Sequence, residues 1–232
     1  MSSKKEEQRR IKEEKQAAAA QKEKVGGLLT KIALGILVPL VVGVLLFGFF
    51  SGQQAVPPSA VVETDHVRGN SEAAITLTVY ADFQCPACGE ETRTMARAWP
   101  RISDKVRLVF RHYPLDMHNH AFPAARVAEA AGRQNKFWEM HDILYANQVL
   151  WSSVDDPLPL FDGYAMELGL NIDQLHADME LSDIRDKIIA DQRGGTRAGV
   201  IGTPTLFLNG RQIATPRSPT ELISKIEEAA AE

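Results

Sequence analysis

The two cysteines of the chain stand three positions apart, in the sequence Cys85-Pro86-Ala87-Cys88. They follow an apolar alternating run and begin a segment with helical spacing. A turn from strand to helix places one sulfur at a helix N-terminus, where unpaired N–H groups and the helix dipole favour the thiolate over the thiol. With no further cysteine, the chain has neither a disulfide framework nor a four-cysteine zinc site. The pair is therefore predicted to be a redox centre.

The overall composition is typical of a folded protein. Of the 232 residues, 44% are hydrophobic and 24% are charged, which is not the composition of a disordered chain. The net charge of -4 gives no reason to expect a nucleic-acid partner. Basic residues nevertheless crowd the N-terminal tail, which we place at 1–28 and which is rich in helix-forming residues.

A membrane signal follows this tail, since the residues from Ile32 to Phe50 carry no charge and no strongly polar side chain. The run is near the length that crosses the hydrocarbon core of a bilayer, and its Leu, Ile, Val and Phe residues favour insertion. The alternative is a cleaved signal peptide, which has a shorter apolar region and a small-residue cleavage site. The sequence after Phe50 offers only weak candidates for such a site. We therefore predict an uncleaved transmembrane anchor at 29–50, in contact with the lipid bilayer.

Basic residues flank the anchor on one side only, and none follows it before Arg68. The positive-inside rule then makes the tail cytoplasmic and everything after Phe50 extracytoplasmic. We interpret the tail as a topology signal, with contact between its lysines and lipid headgroups as the alternative. The predicted location is the cell membrane, as a single-pass protein whose cysteines lie on the side where disulfides persist.

The rest of the chain predicts an α/β domain. Turn-forming residues at 51–70 are typical of a spacer, and we place a linker at 51–64 and the folded domain at 65–232. Two apolar segments rich in β-branched residues, Ile75–Tyr80 and Val106–His112, predict buried strands. A helix beginning at the cysteines must end or kink near Pro100. A sheet built from such strands would be covered by helices on both faces.

The second half of the domain predicts helices followed by a hairpin. The stretch from His120 to about Ala198 has helical spacing, with breaks expected at Pro157, at Pro159 and around Gly163. Two short strands, Thr205–Leu208 and Arg211–Ile213, flank an Asn209-Gly210 turn that accepts positive φ. A last helix begins at Pro219, with Ser218 as its cap.

In this order, the segments ADFQCPAC, FRHYPL, HAFPAARVAEAAG, KFWEMHD and GTPTLFLNG resemble the DsbA-like thioredoxin-fold oxidoreductases over roughly 61–230. The similarity is greatest to the membrane-anchored bacterial members of that family. It implies a thioredoxin fold with a helical insertion, preceded by a single transmembrane helix. It also implies a thiol:disulfide oxidoreductase that needs no cofactor beyond its own cysteines.

The resemblance assigns roles to residues at matching positions. Cys85 would be the exposed nucleophile, and Cys88 would be the buried resolving cysteine of a redox-active disulfide. The peptide bond between Thr203 and Pro204 would be cis and would face the cysteines, with the backbone of Thr203 pairing with an extended substrate. The residues expected to bind substrate are Pro86, Ala87, Thr203 and Pro204.

The sequence departs from the family pattern at two positions. Ala87 stands where DsbA has a histidine, which removes one source of thiolate stabilisation. Val79 stands where several relatives carry a buried glutamate that handles the proton of the resolving cysteine. Asp82 is a candidate substitute, although an aspartate at a strand end is at least as often a turn-maker. Glu90 and Glu91 follow the cysteines closely and disfavour a nearby thiolate.

These features predict an oxidase that exchanges disulfides with exported proteins and is recycled by a membrane redox partner. A disulfide reductase or isomerase is the first alternative, and a non-catalytic anchored chaperone or binding module is the second. We expect no metal site: His112, His118 and His120 are near one another in sequence, but no carboxylate is spaced to complete a ligand set with them. His141 is interpreted as a packed histidine rather than a catalyst.

Overall fold

The computed structural model describes Lys15, residues 35–45 and residues 56–231. The chain divides into two units, Met1–Gln54 and Ala55–Glu232. In the first unit, residues 35–45 are helical. The remainder of the predicted anchor at 29–50, and the tail apart from Lys15, lie outside the described residues. Within the described ranges, no helix combines the length and the apolar character needed to cross a membrane.

The second unit is built on a five-stranded sheet. Its strands are β1 (His66–Gly69), β2 (Ile75–Ala81), β3 (Val106–His112), β4 (Thr205–Leu208) and β5 (Arg211–Ile213). They lie in the order β1-β3-β2-β4-β5. The central strands β2 and β3 are parallel, and the other neighbours pair antiparallel. A parallel pair requires a crossover connection, which a helix beginning at Pro86 supplies.

The helices of this unit are α1 (Pro86–Ile102), α2 (Ala121–Arg133), α3 (Phe137–Ala146), α4 (Gln148–Trp151), α5 (Leu158–Glu167), α6 (Ile172–Met179), α7 (Ser182–Arg197) and α8 (Pro219–Ala230). Helices α2 to α7 form the insertion between β3 and β4. The last helix, α8, packs against α1. Its N-terminus is capped as predicted, because the hydroxyl of Ser218 accepts a hydrogen bond from the backbone N–H of Glu221 at 3.2 Å.

The sheet is buried on both faces, as the sequence predicts. Along β2, Val79 belongs to the main hydrophobic core, whereas Tyr80 belongs to a second buried cluster with Tyr113 and Phe207. Consecutive residues of a strand point to opposite faces, so both faces of β2 are covered. On the second face α7 approaches closely at Gly195, where a Cβ atom would come within 2.8 Å of Tyr113 and 2.9 Å of Tyr80.

Helix α1 ends at Ile102, two residues after Pro100, in agreement with the expected end near this proline. Two local features differ from the sequence prediction. Strand β1 was not predicted, because four residues carry too little periodicity and its partner, β3, is remote in sequence. The break expected around Gly163 is absent, since α5 runs from Leu158 to Glu167 with Pro159 in its first turn, where a missing N–H is tolerated.

A buried ion pair attaches the start of the domain to the sheet. Arg111 of β3 donates to both carboxylate oxygens of Asp65, at 3.0 Å and 2.8 Å. The same guanidinium donates to the hydroxyls of Ser59 and Tyr80 and to the carbonyl oxygen of Ala60. Burial raises the pKa of Asp65, but the hydrogen bonds and charge of Arg111 outweigh burial and hold that pKa below its usual value. Breaking such a pair would leave a buried charge without its partner, which is strongly unfavourable. This network therefore fixes the segment that precedes β1.

Candidate active site

The ends of three strands converge on the dithiol. Strand β2 ends at Ala81, four residues before Cys85, and the parallel strand β3 ends beside it at His112. Strand β4 pairs antiparallel with β2, with Thr205 opposite Tyr80, so the loop that precedes β4 reaches the same edge of the sheet. The sheet topology therefore brings the loop at 203–204 to the cysteines, as the resemblance implies.

Cys85 is the N-cap residue of α1. Its backbone is extended, with φ -70° and ψ 120°, and Pro86 occupies the first turn, where no N–H is needed. Its carbonyl oxygen accepts the first hydrogen bonds of the helix, from the N–H groups of Cys88 at 3.0 Å and Gly89 at 3.2 Å. The sulfur of Cys85 thus lies at the positive end of a 17-residue helix.

The two cysteines differ in burial less than the sequence predicts. Cys85 is 7% exposed and Cys88 is fully buried. Cys85 is therefore less exposed than the predicted nucleophile. Its thiol donates to the carbonyl oxygen of Thr203 at 3.4 Å, in the loop at 203–204. Pro86 and Ala87, the other two residues of the motif, are exposed beside it.

The environment moves the two thiol pKa values in opposite directions. The thiol of Cys88 hydrogen-bonds to the sulfur of Cys85 and, against the effect of burial, lowers the pKa of Cys85 to about 5, with help from Thr203 and the first N–H groups of the helix. Burial raises the pKa of Cys88 far above its ordinary value, and the neighbouring Cys85 thiolate raises it further. One proton is thus held between two unequal sulfurs, with the negative charge on Cys85.

The peptide bond between Thr203 and Pro204 is cis, as expected from the resemblance. The hydroxyl of Thr203 is buried and has no hydrogen-bond partner among the described residues. When Cys85 is a thiol it donates to the Thr203 carbonyl; when it is a thiolate it can accept from this hydroxyl instead. The second arrangement lowers the pKa of Cys85.

Gln148 holds the turn that carries the cysteines, and sequence reasoning missed it. Its side-chain amide is buried and donates to the carbonyl oxygens of Phe83 at 2.7 Å and Cys85 at 2.8 Å. This approach depends on Gly89, since a Cβ atom there would come within 2.6 Å of the Gln148 amide oxygen. No sequence motif marks Gln148, because it lies at the start of α4 and meets the turn only through the tertiary fold.

Asp82 is a turn-maker in this structure. Its carboxylate accepts from the N–H of Gln84, two residues on, and also from the N–H of Leu115 and from Nδ1 of His118. Its backbone N–H points to the sulfur of Cys88 at 3.5 Å. Through these hydrogen bonds, the carboxylate positions the loop that precedes the cysteines.

A different carboxyl group is near the cysteines on α1. Glu91 is buried in α1, one helical turn after Cys88, and burial raises its pKa to about 7. It lines an apolar cavity of about 480 Å³, together with Val79, Trp99 and Tyr145. The sequence prediction treated Glu90 and Glu91 alike, but Glu90 is exposed and forms an ion pair with Arg93 at 2.6 Å. The two side chains lie on different sides of the helix, one exposed and one buried. The carboxyl group that can change protonation near neutral pH is that of Glu91.

The histidines named from the sequence do not converge on one site. His118 hydrogen-bonds to Asp82, and Nε2 of His120 hydrogen-bonds to the carbonyl oxygen of Val154. His112 contacts Glu129 of α2 at 2.7 Å. His141 is packed among aromatic rings, as predicted, and burial lowers its pKa.

Comparison with known proteins places this fold in a family. The family model described as Thioredoxin matches residues 61–228, which include the whole sheet and both cysteines. The chain belongs to the thioredoxin family. Its expected resemblance to the DsbA-like oxidoreductases, and the thioredoxin fold with a helical insertion, are confirmed by the matched family and by solved structures.

Two solved structures illustrate the likeness. A thioredoxin-like oxidoreductase from Silicibacter pomeroyi DSS-3 has a TM-score of 0.63 at 24% identity, over 74% of this chain and 95% of that one. DsbA2 of Pseudomonas aeruginosa has a TM-score of 0.56 at 27% identity, over 75% of this chain and 98% of that one. These neighbours agree with the interpretation of this thioredoxin-family chain as a thiol:disulfide oxidoreductase.

A curated relative matches the same fold inside a much longer protein. The Na(+)/H(+) antiporter NhaA 1 of Salinispora arenicola is 41% identical over 153 residues, which are 65% of this chain and 22% of that protein. The chain spans about a quarter of the length of the curated relatives it matches. The anchor, the cell-membrane location and the roles of the individual site residues stay predictions.

Proposed function

We propose that the chain oxidises exported proteins outside the cytoplasm by thiol–disulfide exchange. Cys85 acts as nucleophile and leaving group, and Cys88 acts as the resolving cysteine. The observation that carries this proposal is the opposite displacement of the two thiol pKa values, with that of Cys85 lowered to about 5 and that of Cys88 raised. Stabilising the Cys85 thiolate stabilises the reduced protein relative to the disulfide, which makes the disulfide form an oxidant.

The exchange proceeds through two displacements at sulfur. A substrate thiolate attacks Sγ of Cys85 in the disulfide, a bond to the substrate sulfur forms, and the bond between the two protein sulfurs breaks with its electron pair on Cys88. A second substrate thiolate then attacks the substrate sulfur of this mixed disulfide and releases Cys85 as a thiolate. The substrate leaves with a new disulfide, and the protein is reduced to the dithiol. Cys85 is the better leaving group because its thiolate is the more stable one.

The first displacement leaves Cys88 needing a proton, because its raised pKa does not permit a buried thiolate. We assign the donation of this proton to Glu91, and its removal to the same carboxylate when the dithiol is reoxidised. The two side chains are three positions apart on α1, and such pairs have Cβ atoms about 5–6 Å apart. A carboxyl group with a pKa of about 7 changes protonation at neutral pH, which suits it to both steps.

The surface around Cys85 supports binding of an extended, partly apolar client. Pro86, Ala87 and Ile201 are exposed, and Ile201 is 98% exposed although it is a large apolar side chain. Ile201 lies two residues before Thr203, whose backbone is proposed to pair with the client. An apolar rim beside the backbone contacts of Thr203 and Pro204 favours unfolded chains, which expose both main chain and apolar side chains.

The reduced protein must be reoxidised, and we assign this step to a membrane redox partner of the quinone-linked class. This partner accepts the two electrons of the dithiol, and the one proton held between the sulfurs is released through Glu91. The transmembrane anchor proposed at 29–50 would hold the folded unit near such a partner. Its support is the uncharged sequence from Ile32 to Phe50 and the helix at residues 35–45. The same anchor places the cysteines outside the cytoplasm, given the basic tail at 1–28.

The proposal is tested by the redox potential of the dithiol in the full chain. The protein is equilibrated in glutathione buffers and its thiols are counted by alkylation and gel shift. We expect a potential close to that of DsbA, about -120 mV, rather than that of thioredoxin, about -270 mV. A value near thioredoxin would instead favour the reductase alternative.

A trapping experiment separates catalysis from passive binding. Cys88→Ser should accumulate mixed disulfides between Cys85 and exported proteins in cells, whereas Cys85→Ser should not. Equal capture of clients by both variants would favour the non-catalytic binding module.

A further inference from the structure

A second polar cluster lies away from the cysteines and has no part in the mechanism above. It joins His66 of β1, His112 at the end of β3 and Glu129 of α2. Nε2 of His66 lies 2.8 Å from Oε1 of Glu129, and Nε2 of His112 lies 2.7 Å from the same oxygen. The three potential ligand atoms all lie within 4.8 Å of one another. Three separate elements therefore direct two imidazole nitrogens and a carboxylate at one point.

The buried carboxylate of this cluster is paired with two imidazoles. Glu129 and His112 are buried, and His66 is partly buried. Among the described residues, Glu129 forms no ion pair with a lysine or an arginine; its partners are the two imidazoles. A carboxylate removed from water needs a compensating positive charge or a metal ion. A metal ion that took the place of the two imidazole hydrogen bonds would supply this compensation directly.

The cluster opens on a cavity of about 330 Å³ that His66 and Glu129 line. Two cations also line this cavity, but both are already paired: Lys187 with Asp191 at 2.6 Å, and Arg133 with Asp183 at 3.0 Å. The cavity provides an entry path and room for a water molecule. Two carboxylates on its wall, the buried Glu129 and the exposed Glu63, have no lysine or arginine partner among the described residues.

Packing holds the imidazoles in place before any ligand arrives. The ring of His66 stacks on Phe137 with centroids 3.4 Å apart and planes 3° from parallel. The ring of His112 meets the edge of the same Phe137, with centroids 6.0 Å apart. Gly132 leaves space for His66, since a Cβ atom there would come within 3.2 Å of its Cε1. Fixed ring orientations reduce the entropy lost on binding.

We propose that His66, His112 and Glu129 bind a divalent transition metal of the zinc type, with a water molecule from the cavity as the fourth ligand. Two histidines and one glutamate form a known zinc ligand set that leaves a position open for water. The two nitrogen donors disfavour calcium and magnesium, which take oxygen ligands. On binding, each Nε2 gives up its proton or passes it to Nδ1, so that its lone pair and the carboxylate face the ion.

The bound ion would link β1, β3 and α2, which are remote in sequence. Metal affinity for the folded state alone raises thermal stability by mass action. The predicted effect is therefore a more stable thioredoxin-fold unit, with the cysteine chemistry left to Cys85 and Cys88. Because the ligands are distinct from those residues, the site can be tested without the redox activity.

The test uses the full chain with Cys85→Ser and Cys88→Ser, because thiolates would otherwise bind the same ions. Zinc chloride is titrated by calorimetry after treatment with a chelator, and cobalt(II) is used as an absorption probe of tetrahedral coordination. We expect one zinc ion per chain, a rise in the thermal midpoint, and visible cobalt bands of a tetrahedral site.

Two variants each remove one ligand, and a third variant serves as a matched control. His66→Gln and Glu129→Gln should each weaken zinc binding by more than about tenfold, the lower end of the loss seen when even an outer-shell partner is removed. Glu129→Gln nearly preserves the side-chain shape, so it tests the ligand rather than the fold. His176→Gln, which removes an exposed histidine paired with Asp162, should bind zinc like the parent. The proposal would be overturned if the parent did not bind zinc, or if both ligand variants bound zinc with the affinity of the parent.

Discussion

At the scale of single residues, the proposed chemistry depends on two side chains that the CxxC motif does not contain, Thr203 and Glu91. Thr203 contacts Cys85 from the loop before β4, and Glu91 is buried three positions after Cys88 on α1. In the proposed mechanism, the first stabilises the Cys85 thiolate and the second supplies the proton that Cys88 needs. Each role predicts a distinct change in titration behaviour.

Thr203→Val should raise the pKa of Cys85. The variant removes the hydroxyl that the thiolate can accept from, and a hydrogen bond to a charged group contributes roughly 1.5–3 kcal/mol, or about one to two pKa units. The measurement is a pH titration of the reduced protein by ultraviolet absorbance of the thiolate. Thr220→Val, at an exposed position in the first turn of α8, is the control. A Cys85 pKa equal to that of the parent would remove Thr203 from the account of thiolate stability.

Glu91→Gln should slow reoxidation of the dithiol by about 10²-fold at neutral pH, the lower end of typical general acid–base contributions. The reason is that Cys88 loses the carboxylate that accepts its proton. The pH profile of the reoxidation rate should also lose its inflection near pH 7, where the carboxyl group of Glu91 titrates. Stopped-flow measurement with a disulfide oxidant gives both quantities. Glu90→Gln changes an adjacent exposed carboxylate and should leave the profile unaltered; a Glu91→Gln profile identical to the parent would contradict the assignment.

At the scale of elements, the position of the dithiol depends on contact between α1 and the start of α4. Gly89→Ala should destabilise the protein by about 1–3 kcal/mol, because the new methyl group displaces Gln148, which leaves the buried carbonyl group of Phe83 without this donor and removes one of the three donors to Cys85. Chemical denaturation measures the free energy of unfolding. Gly163→Ala is the matched control, since a Cβ atom there meets nothing within 4 Å, and it should stabilise α5 by roughly 0.5–1 kcal/mol.

A double variant separates the loss of the Gln148 contact from any effect of Gly89→Ala on the helix itself. In a Gln148→Ala background the cost of Gly89→Ala should largely disappear, because the side chain that it displaces is no longer present. A cost that is unchanged in that background would mean that the methyl group clashes elsewhere.

The elements that the sequence predicts well are those with strong local signals. The apolar run of β3 and the Asn209-Gly210 turn carry their own conformational preferences, and both residues of the turn have positive φ in the structure. Cys85 and Cys88 were identified by spacing, and the loop at Thr203 by resemblance. Strand β1 and Gln148 were missed because their partners are remote in sequence. The different environments of Glu90 and Glu91 follow from the phase of α1 against the core, which spacing alone does not define.

At the scale of the whole molecule, the stability of the Cys85 thiolate depends on contacts from several parts of the folded unit. Helix α1, the cis-proline loop and the insertion through Gln148 all contact the cysteine turn. Unfolding removes these contacts together, and the pKa of Cys85 then returns from about 5 toward its ordinary value of about 9. Redox state, pH and folding stability are therefore linked.

This linkage predicts that Cys85 makes the reduced protein more stable as pH rises from about 5 to about 9. In this range the unfolded state binds more protons at Cys85 than the folded state does, so the contribution of Cys85 is fully present above the unfolded pKa and is lost as pH falls through the folded one. Each pH unit adds at most about 1.4 kcal/mol.

The free energy of unfolding of the reduced parent is compared with that of Cys85→Ser across this range. Glu91 also titrates there, with a raised pKa that acts in the opposite direction, but it is present in both proteins and its effect largely cancels in the difference. The difference should grow with pH above about 5 and become constant below it, where only the pH-independent effect of the substitution is left. A difference that does not vary with pH would mean that folding does not stabilise the thiolate, and the proposed oxidising direction would lose its physical basis.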